Sequence, residues 1–292
     1  MSNVPASSIG NPSRRISDFL AALFAWGSAI LIGAVFFWIL FEILKNGWEV
    51  ISWEFLTESP RNAGRAGGIG PIIVSTFLIL GVCLITSMPL GVGTAIFLNE
   101  YTPAASSTGR LIRRGLDVLA GVPSIVFGLF GNAIFCVYFG LGFSILSGGL
   151  TLACMVLPIL IRSTEEGLRS VPNEYRLAAA GLGISRTGTL TKILLPAAMP
   201  GLIVGLVLGI GRALAETAAL VFTSGYVDRM PGSLLHSGRA LSVHIFDLSM
   251  NVAGGDRQAY GAAFVLIVLI VIINLLAFRI TNRWLGNGRS VQ

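Results

Sequence analysis

The sequence predicts an all-α integral membrane protein with six transmembrane helices. Only 12% of its 292 residues are charged and 54% are hydrophobic, whereas a soluble globular domain carries about 25% charged residues. The mean hydropathy is +0.80. Several uncharged runs are long enough for a spanning helix, which needs about 20 mostly apolar residues. Together these observations exclude soluble, disordered and collagen-like architectures.

Uncharged runs locate the spans. They lie between Asp18 and Glu42, Arg65 and Glu100, Asp117 and Arg162, Lys192 and Arg212, and Arg257 and Arg279. The third run is long enough for two helices, and its Gly- and Ser-rich stretch 140–149 predicts a break between them. The predicted spans are therefore 19–44, 70–98, 118–140, 144–162, 197–223 and 260–284.

Charge also predicts the orientation of the chain. With the N-terminus in the cytoplasm, the cytoplasmic segments hold about twice as many Lys and Arg residues as the external ones, so both termini are predicted to be cytoplasmic. The first run follows two arginines, as a signal peptide does, but it is too long and lacks a small-residue cleavage site, so we expect it to be retained. The predicted parts are a cytoplasmic tail, a first helix with its external loop, a core of five transmembrane helices and a second cytoplasmic tail: 1–17, 18–68, 69–285 and 286–292.

The sequence contains no pattern typical of catalysis or metal binding. It lacks the Gly-x4-Gly-Lys-Ser/Thr phosphate loop of an ATPase, and its spans hold neither paired carboxylates nor a Ser–His or Ser–Lys arrangement. Cys83, Cys136 and Cys154 lie in apolar runs and fit neither a disulfide framework nor a metal spacing. We therefore expect no catalytic residue and no metal site.

The predicted cytoplasmic loop 163–196 and external loop 224–259 are longer than simple turns, and loops of this size are usually functional. In the first, Pro172 predicts the start of a helix with Glu174 in its first turn, and Gly181 or Gly183 predicts its end. A helix this short is unstable alone, so it must dock on its own bundle or on another protein. The alternative is a helix lying on lipid, although its alanines would grip lipid poorly.

The fifth predicted span carries a glycine stripe and two charges. Gly201, Gly205 and Gly209 recur every four residues and predict close packing against another helix. Arg212 and Glu216 have i, i+4 spacing, so we expect them on one helix face. A charge within a span costs at least about 2.5–3.5 kcal/mol. The pair is either a structural ion pair, or an anion-binding guanidinium in the substrate path that Glu216 holds between passages.

The end of the cytoplasmic loop resembles a known motif. Gly183, nine residues, Ile193, one residue and then Leu195-Pro196 is similar to the EAA loop of ABC-importer permeases, which ends in Gly-x9-Ile-x-Leu-Pro. Two alanines also match, whereas the motif's glutamate would fall at position 177, where this chain has leucine. The resemblance implies a type I ABC importer permease fold and a coupling helix at 174–183 that sits on a separate ATPase subunit. The implied coupling residues are Glu174, Tyr175, Ala178, Ala179 and Gly183.

Other segments are similar to phosphate-specific ABC permeases. Residues 211–218, Gly-Arg-Ala-Leu-Ala-Glu-Thr-Ala, resemble their Gly-Arg-Ala-x-Gly-Glu-Thr segment. Of the two paralogous types, PstA and PstC, residues 241–246 are more similar to PstA. Further similarity covers 55–60, 66–69, 89–93, 121–131 and 171–176. The resemblance implies that Arg212, Glu216 and Thr217 line the substrate pathway.

These resemblances imply the transmembrane subunit of an ATP-driven importer of inorganic phosphate, working by alternating access in the inner (plasma) membrane. They imply a paralogous PstC-type permease, two PstB-type ATPase subunits that bind ATP-Mg and a PstS-type phosphate-binding protein outside, with no cofactor bound by this chain. Two alternatives stay open. One is a permease for another oxyanion, namely phosphonate, sulfate or molybdate; the other is a secondary anion transporter that uses Glu216 as a proton relay.

Three further expectations concern single features. Pro123 predicts a bend in the third span, because proline removes a backbone hydrogen bond. His244 is interpreted as a polar loop residue, and 243–246 as part of a short interfacial helix or a contact for the binding protein. A basic cluster expected to contact anionic lipid headgroups comprises Arg110, Arg113 and Arg114.

Overall fold

The computed structural model describes the backbone of residues 12–103 and 106–288, and the side chains of residues 18–103 and 106–279. Most of the predicted tails, 1–17 and 286–292, lies outside the described residues. The described chain is a helical bundle, with one two-residue β-hairpin, Pro60–Arg61 with Ala66–Gly67. Its helices are α1 (Pro12–Trp48), α2 (Trp53–Thr57), α3 (Gly70–Ile96), α4 (Ser107–Gly121), α5 (Ser124–Gly131), α6 (Ile145–Arg169), α7 (Asn173–Gly181), α8 (Arg186–Thr189), α9 (Leu195–Ala215), α10 (Ala218–Val221), α11 (Leu241–Met250) and α12 (Asp256–Gly288).

Five helices in the described part of the chain are long and apolar enough to cross a membrane. They are Asp18–Trp48, Gly70–Tyr101, Ile145–Arg169, Arg186–Ala215 and Asp256–Arg279. Residues Ser107–Gly121 and Ser124–Tyr138 form a sixth candidate if the bent pair is one span. Short π-helical segments extend α3 to Tyr101 and α5 to Tyr138, and join α8 to α9. The all-α membrane fold that the sequence predicts is therefore confirmed.

Helix α6 lies at the centre of the bundle, between α3 and α9. The predicted glycine stripe of α9 faces it: a Cβ on Gly201 would lie 2.6 Å from the Cα of Gly167, and one on Gly209 would lie 2.6 Å from Val156 Cγ1. Only glycine permits backbones to approach this closely. Helix α7 (Asn173–Gly181) lies at one end of the bundle, the α7 end, and helix α11 (Leu241–Met250) lies at the other, the α11 end.

Helix α1 lies at the periphery, along α12. Gly47 permits the contact, because a Cβ there would lie 2.6 Å from Phe264 Cβ, and the rings of Trp48 and Phe264 meet edge to face at 5.9 Å. The aromatic side chains Phe24 and Trp38 point outward and are 79% and 74% exposed. A helix that is apolar yet unburied suits contact with lipid or with another membrane subunit.

The third span differs from the prediction of one helix at 118–140. Helices α4 and α5 meet at an angle of 104°, with extended backbone at Val122 and Pro123. Proline disfavours helical backbone in the residue before it, so Pro123 produces a break between two helices rather than the kink within one helix that we expected. The predicted span is wrong in its first residues, which belong to the separate helix α4.

The fourth and fifth spans also have bounds that differ from the prediction. Helix α6 continues to Arg169 rather than ending near 162, because the charges in its last turns are paired: Glu165 with Arg113 and Arg169, and Arg162 with Asp117. The fifth helix runs over Arg186–Ala215 rather than 197–223. Uncharged runs therefore located these helices but not their ends.

Candidate functional site

The helix is broken between α9 and α10, within the last third of the predicted span 197–223. Helix α9 ends at Ala215, and the backbone of Glu216 is extended, with φ −75° and ψ 124°. The Ala219 N–H then donates to Glu216 Oε1 at 3.1 Å, so the carboxylate caps the short helix α10. Glu216 does not share a helix face with Arg212, and no ion pair joins the two within the described residues. The predicted i, i+4 geometry is wrong.

Neighbouring helices hold this break in place. The Ser242 hydroxyl of α11 donates to the Glu216 carbonyl at 2.6 Å, and Asn132 donates to the Phe222 carbonyl at 2.8 Å. Gly128 of α5 leaves room for α10, because a Cβ there would lie 2.9 Å from the Cα of Ala219. Irregular backbone at membrane depth needs partners of this kind for its polar groups. The break is therefore a fixed part of the fold.

Arg212 lies one helical turn before the break and is half-buried. Its Nε is buried and has no hydrogen-bond partner among the described residues, and no ion pair neutralises it there. A guanidinium is always protonated and presents a planar fork of donors that fits an oxyanion. Thr217 lies in the break itself, where its carbonyl accepts from the Val221 N–H at 3.0 Å. The structure thus groups Arg212, Glu216 and Thr217 around one broken helix.

A buried charged cluster on α11 was missed by the sequence analysis. Arg239 Nη1 lies 3.0 Å from Asp247 Oδ2 and 3.2 Å from His244 Nδ1, and Arg239 Nε donates to the Tyr226 carbonyl at 2.8 Å. His244 is 1% exposed, so its interpretation as a polar loop residue is wrong, although 243–246 do lie in a helix. The pKa of His244 is lowered to about 4, mainly by burial and further by the charge of Arg239, while the charge of Asp247 opposes both. The i, i+3 spacing of His244 and Asp247 was the available signal.

Helix α7 ends as the glycine spacing predicts. Gly183 has φ +68°, and the Ile184 and Gly183 N–H groups donate to the carbonyls of Ala179 and Ala180 at 2.9 and 3.0 Å. This pair of bonds is the Schellman motif, whose left-handed position favours glycine. The helix spans Asn173–Gly181, close to the predicted 174–183.

The outer face of α7 presents most of the predicted coupling residues. Glu174, Tyr175 and Ala178 are exposed. Leu177, which stands in place of the motif's glutamate, is 66% exposed. Ala179 is 1% exposed and packs toward the bundle, so it offers no surface to a partner. The face of α7 is therefore a small, partly apolar surface.

Two carboxylates organise the α7 end, Glu165, which is buried, and Glu100, which is half-buried. Glu165 pairs with Arg113 at 2.8 Å and with Arg169 at 2.6 Å, and Arg113 also donates to the Leu98 carbonyl at 2.9 Å. Arg113 is half-buried and its guanidinium is bound to partners within the bundle, so its expected contact with lipid headgroups is wrong. Glu100 pairs with Arg176 of α7 at 2.6 Å.

Comparison with known proteins gives the family. The model of the binding-protein-dependent transport system inner membrane component matches residues 87–285. The probable ABC transporter permease protein YqgI of Bacillus subtilis (strain 168) is 33% identical, covering 94% of this chain and 96% of that protein. The phosphate transport system permease protein PstA of Mycobacterium leprae (strain TN) is 35% identical, covering 91% of this chain and 90% of that protein.

Solved structures agree at the level of the fold. A permease chain in the crystal structure of a bacterial alginate ABC transporter, in complex with alginate pentasaccharide-bound periplasmic protein, has a TM-score of 0.66 at 14% identity and covers 93% of this chain and 96% of that chain. An inward-facing MetNI methionine ABC transporter has a TM-score of 0.57 at 17% identity, covering 74% of this chain and 94% of that chain. The chain therefore belongs to the family of binding-protein-dependent transport system inner membrane components, as a multi-pass, non-catalytic permease subunit of an ABC transporter.

Proposed function

We propose that this chain is the PstA-type permease subunit of an ATP-driven importer and conducts inorganic phosphate inward by alternating access. The observation that carries the proposal is Arg212, a half-buried guanidinium beside a broken helix with no hydrogen-bond partner for its Nε among the described residues. An unpaired cation at this depth is costly, and an oxyanion would satisfy it. Relatives named as PstA phosphate permeases support phosphate as that oxyanion.

The proposed orientation places the α7 end in the cytoplasm of an inner-membrane protein, with both termini inside. The positive-inside count supports it. Two ATPase subunits of the PstB type would bind ATP-Mg, and one of them would bind the exposed face of α7, while this chain binds no cofactor. A PstC-type paralogue would complete the pathway, and a phosphate-binding protein of the PstS type would deliver phosphate to the α11 end.

A single continuous helix supports the proposed coupling. Residues Arg186–Ala215 form one helix of 30 residues, about 45 Å long at 1.5 Å per residue. It begins five residues after α7 and ends beside Arg212. In the proposed mechanism a displacement of α7 moves this helix, and the guanidinium near its far end changes which side of the membrane it faces.

The hydrogen bonds of Glu216 distinguish this proposal from the alternative of a proton-coupled transporter. Its carboxylate already accepts the Ala219 N–H, and its carbonyl accepts the Ser242 hydroxyl. These bonds give Glu216 a role in fixing the break and leave Arg212 free for the anion. A proton relay would require a carboxylate that changes partners during transport, so we favour the ATP-driven mechanism.

Phosphate selectivity is the part to test first. The chain, assembled with its partner permease, ATPase and binding protein in proteoliposomes, should import radiolabelled phosphate when ATP is supplied. Excess unlabelled phosphate should block this uptake, whereas sulfate, molybdate and a phosphonate should not. ATP-dependent uptake of one of those three anions without phosphate uptake would contradict the proposed substrate while keeping the permease family.

A further inference from the structure

Arg176 connects α7 to three other parts of the α7 end. Its Nη2 lies 2.6 Å from Glu100 Oε1, and its Nε lies 3.3 Å from Glu100 Oε2. The same guanidinium donates to the carbonyl oxygens of Leu168 and Val171, both at 3.2 Å. One side chain therefore contacts the end of the α3 span, the last turns of α6 and the link between α6 and α7.

Apolar packing contributes little to the attachment of α7. Among its nine residues, Ala179 is the one buried side chain, and a methyl side chain removes little apolar surface from water. A pocket of about 220 Å³ lies between α7 and α8, lined by Ala180, Ile184 and Arg186 among others. The pocket leaves α7 loosely packed on that side. Hydrogen bonds between charged groups are about twice as strong as neutral ones, so the ion pair dominates the attachment.

We propose that the Glu100–Arg176 pair makes α7 and the end of the α3 span move as one body. The pair is a positioning pair: it transmits the displacement of α7 to α3, whereas the chain itself transmits it to α8 and α9. This inference rests on the proposed function, because α7 is displaced only if a motor grips it.

The local backbone supports this role for Glu100. It lies in the π-helical segment Phe97–Tyr101 that ends the α3 span, and π-helical turns occur frequently at functional sites. The pair is also mostly shielded from water, with side chains 17% exposed for Glu100 and 25% for Arg176. Removing either charge leaves the other shielded and unpaired, which is far more disruptive than removing an exposed pair.

The first test measures phosphate imported per ATP hydrolysed by the complete transporter in proteoliposomes. Glu100→Gln keeps the shape of the side chain and leaves Arg176 bound to its two carbonyl oxygens; Arg176→Gln removes the guanidinium. Both complexes should hydrolyse ATP, and the ratio should fall about tenfold, within the usual range of coupling between sites. The matched control is Arg114→Gln, since Arg114 is exposed on α4 and makes no ion pair among the described residues. The Arg114→Gln complex should import as much phosphate per ATP hydrolysed as the wild type.

A double-mutant cycle separates a specific pair from general disruption. The double variant Glu100→Gln/Arg176→Gln should lower the ratio no further than the worse single variant, because residues in contact do not act additively. If Arg176→Gln does not assemble, Glu100→Asp, which keeps a carboxylate, should have a ratio at least about threefold higher than Glu100→Gln. Single variants with the wild-type ratio, a double variant whose loss is the product of the two single losses, or a Glu100→Asp ratio no higher than that of Glu100→Gln would overturn the inference.

A second test, which needs no phosphate, measures whether α7 and the end of the α3 span move together. Spin labels at Tyr101→Cys and Ala180→Cys, both exposed and both lining the pocket beside the pair, report the distance between the two elements once the native cysteines are replaced by alanine. ATP should leave this distance unchanged in the otherwise native complex and change it in the Glu100→Gln complex. A distance that changes with ATP in the native pair overturns the inference, even if phosphate import is normal. A complex that imports no phosphate contradicts the proposed function instead. The spin-label distance still shows whether α7 and the end of the α3 span move as one body.

Discussion

Arg212 is the residue on which the transport proposal depends. Arg212→Leu removes the guanidinium but keeps an apolar side chain in the helix, so we expect the complex to assemble and phosphate uptake to fall to background. Radiolabelled uptake, normalised to the amount of purified complex, measures the effect. Arg110→Leu on the exposed face of α4 is the matched control and should transport normally. Normal uptake by Arg212→Leu would remove Arg212 from the pathway.

His244 predicts an acid-sensitive fold. Burial lowers its pKa from 6.5 to about 4, so between these pH values the unfolded chain binds a proton that the folded chain does not. Stability from this residue is therefore complete above pH 6.5 and is lost as the pH falls toward 4, by about 3 kcal/mol in total.

The matching variant is His244→Gln, whose amide oxygen can accept from Arg239 but does not titrate. We expect its unfolding temperature at pH 7 to be lower than wild type, and the decrease between pH 6.5 and 4 to be smaller. An equal acid response in both proteins would show that His244 is not the group responsible.

The contact between α6 and α9 depends on missing side chains. Gly201→Ala would put a Cβ 2.6 Å from the Cα of Gly167, so we expect a loss of about 1–3 kcal/mol from overpacking. Gly211→Ala on the same helix meets nothing within 4 Å and should be neutral or stabilising by up to about 1 kcal/mol. Thermal unfolding of the purified complexes measures both changes. Equal midpoints for the two variants would contradict the close contact.

The turn after α7 depends on Gly183. Proline fixes φ near −65°, which is incompatible with φ +68°, and it removes the N–H that donates to Ala180. Gly183→Pro should therefore lower transport per ATP hydrolysed while leaving ATPase activity. Gly181→Ala, two residues earlier, meets nothing within 4 Å and should transport normally. A Gly183→Pro complex that transports at the normal rate would show that this turn does not couple the two activities.

The sequence predicts where these elements lie better than where they end. Apolar runs located the spans, the glycine stripe identified the face of α9 that packs closely against another helix, and Gly181 or Gly183 was expected to end α7. The break at Glu216 was not predictable, because residues 211–221 have good helical propensity and the break is stabilised by distant groups such as Ser242. Likewise α6 extends to Arg169 because Glu165 forms an ion pair with Arg113, which lies 52 residues away in the sequence.

The same physical reason explains the misjudged site residues. The sequence assigned Arg212, Glu216 and Thr217 to one site, which stays a prediction, and it paired the two charges because helical spacing was the only geometry available. His244 looked like an ordinary loop residue because its partner Arg239 precedes α11. Residues that depend on tertiary partners were therefore identified by type but not by role.

Taken as a whole, the molecule places its two candidate regions at opposite ends of one helix. The face of α7 lies at one end, and the unpaired guanidinium of Arg212 lies near the other, beside the break. The 30 residues of Arg186–Ala215 connect them, while Glu100 and Arg176 join α7 to a second span. This arrangement suits a subunit that converts movement on one side of a membrane into access on the other.

The most direct test compares the uphill transport of phosphate with and without the ATPase subunits. The permease pair should be reconstituted in vesicles with and without the ATPase subunits, with the binding protein and phosphate outside. We predict accumulation of phosphate against its gradient only when the ATPase and ATP are present, unaffected by a protonophore. Uphill accumulation by the permease without any ATPase, or its collapse with a protonophore while ATP remains, would contradict the account.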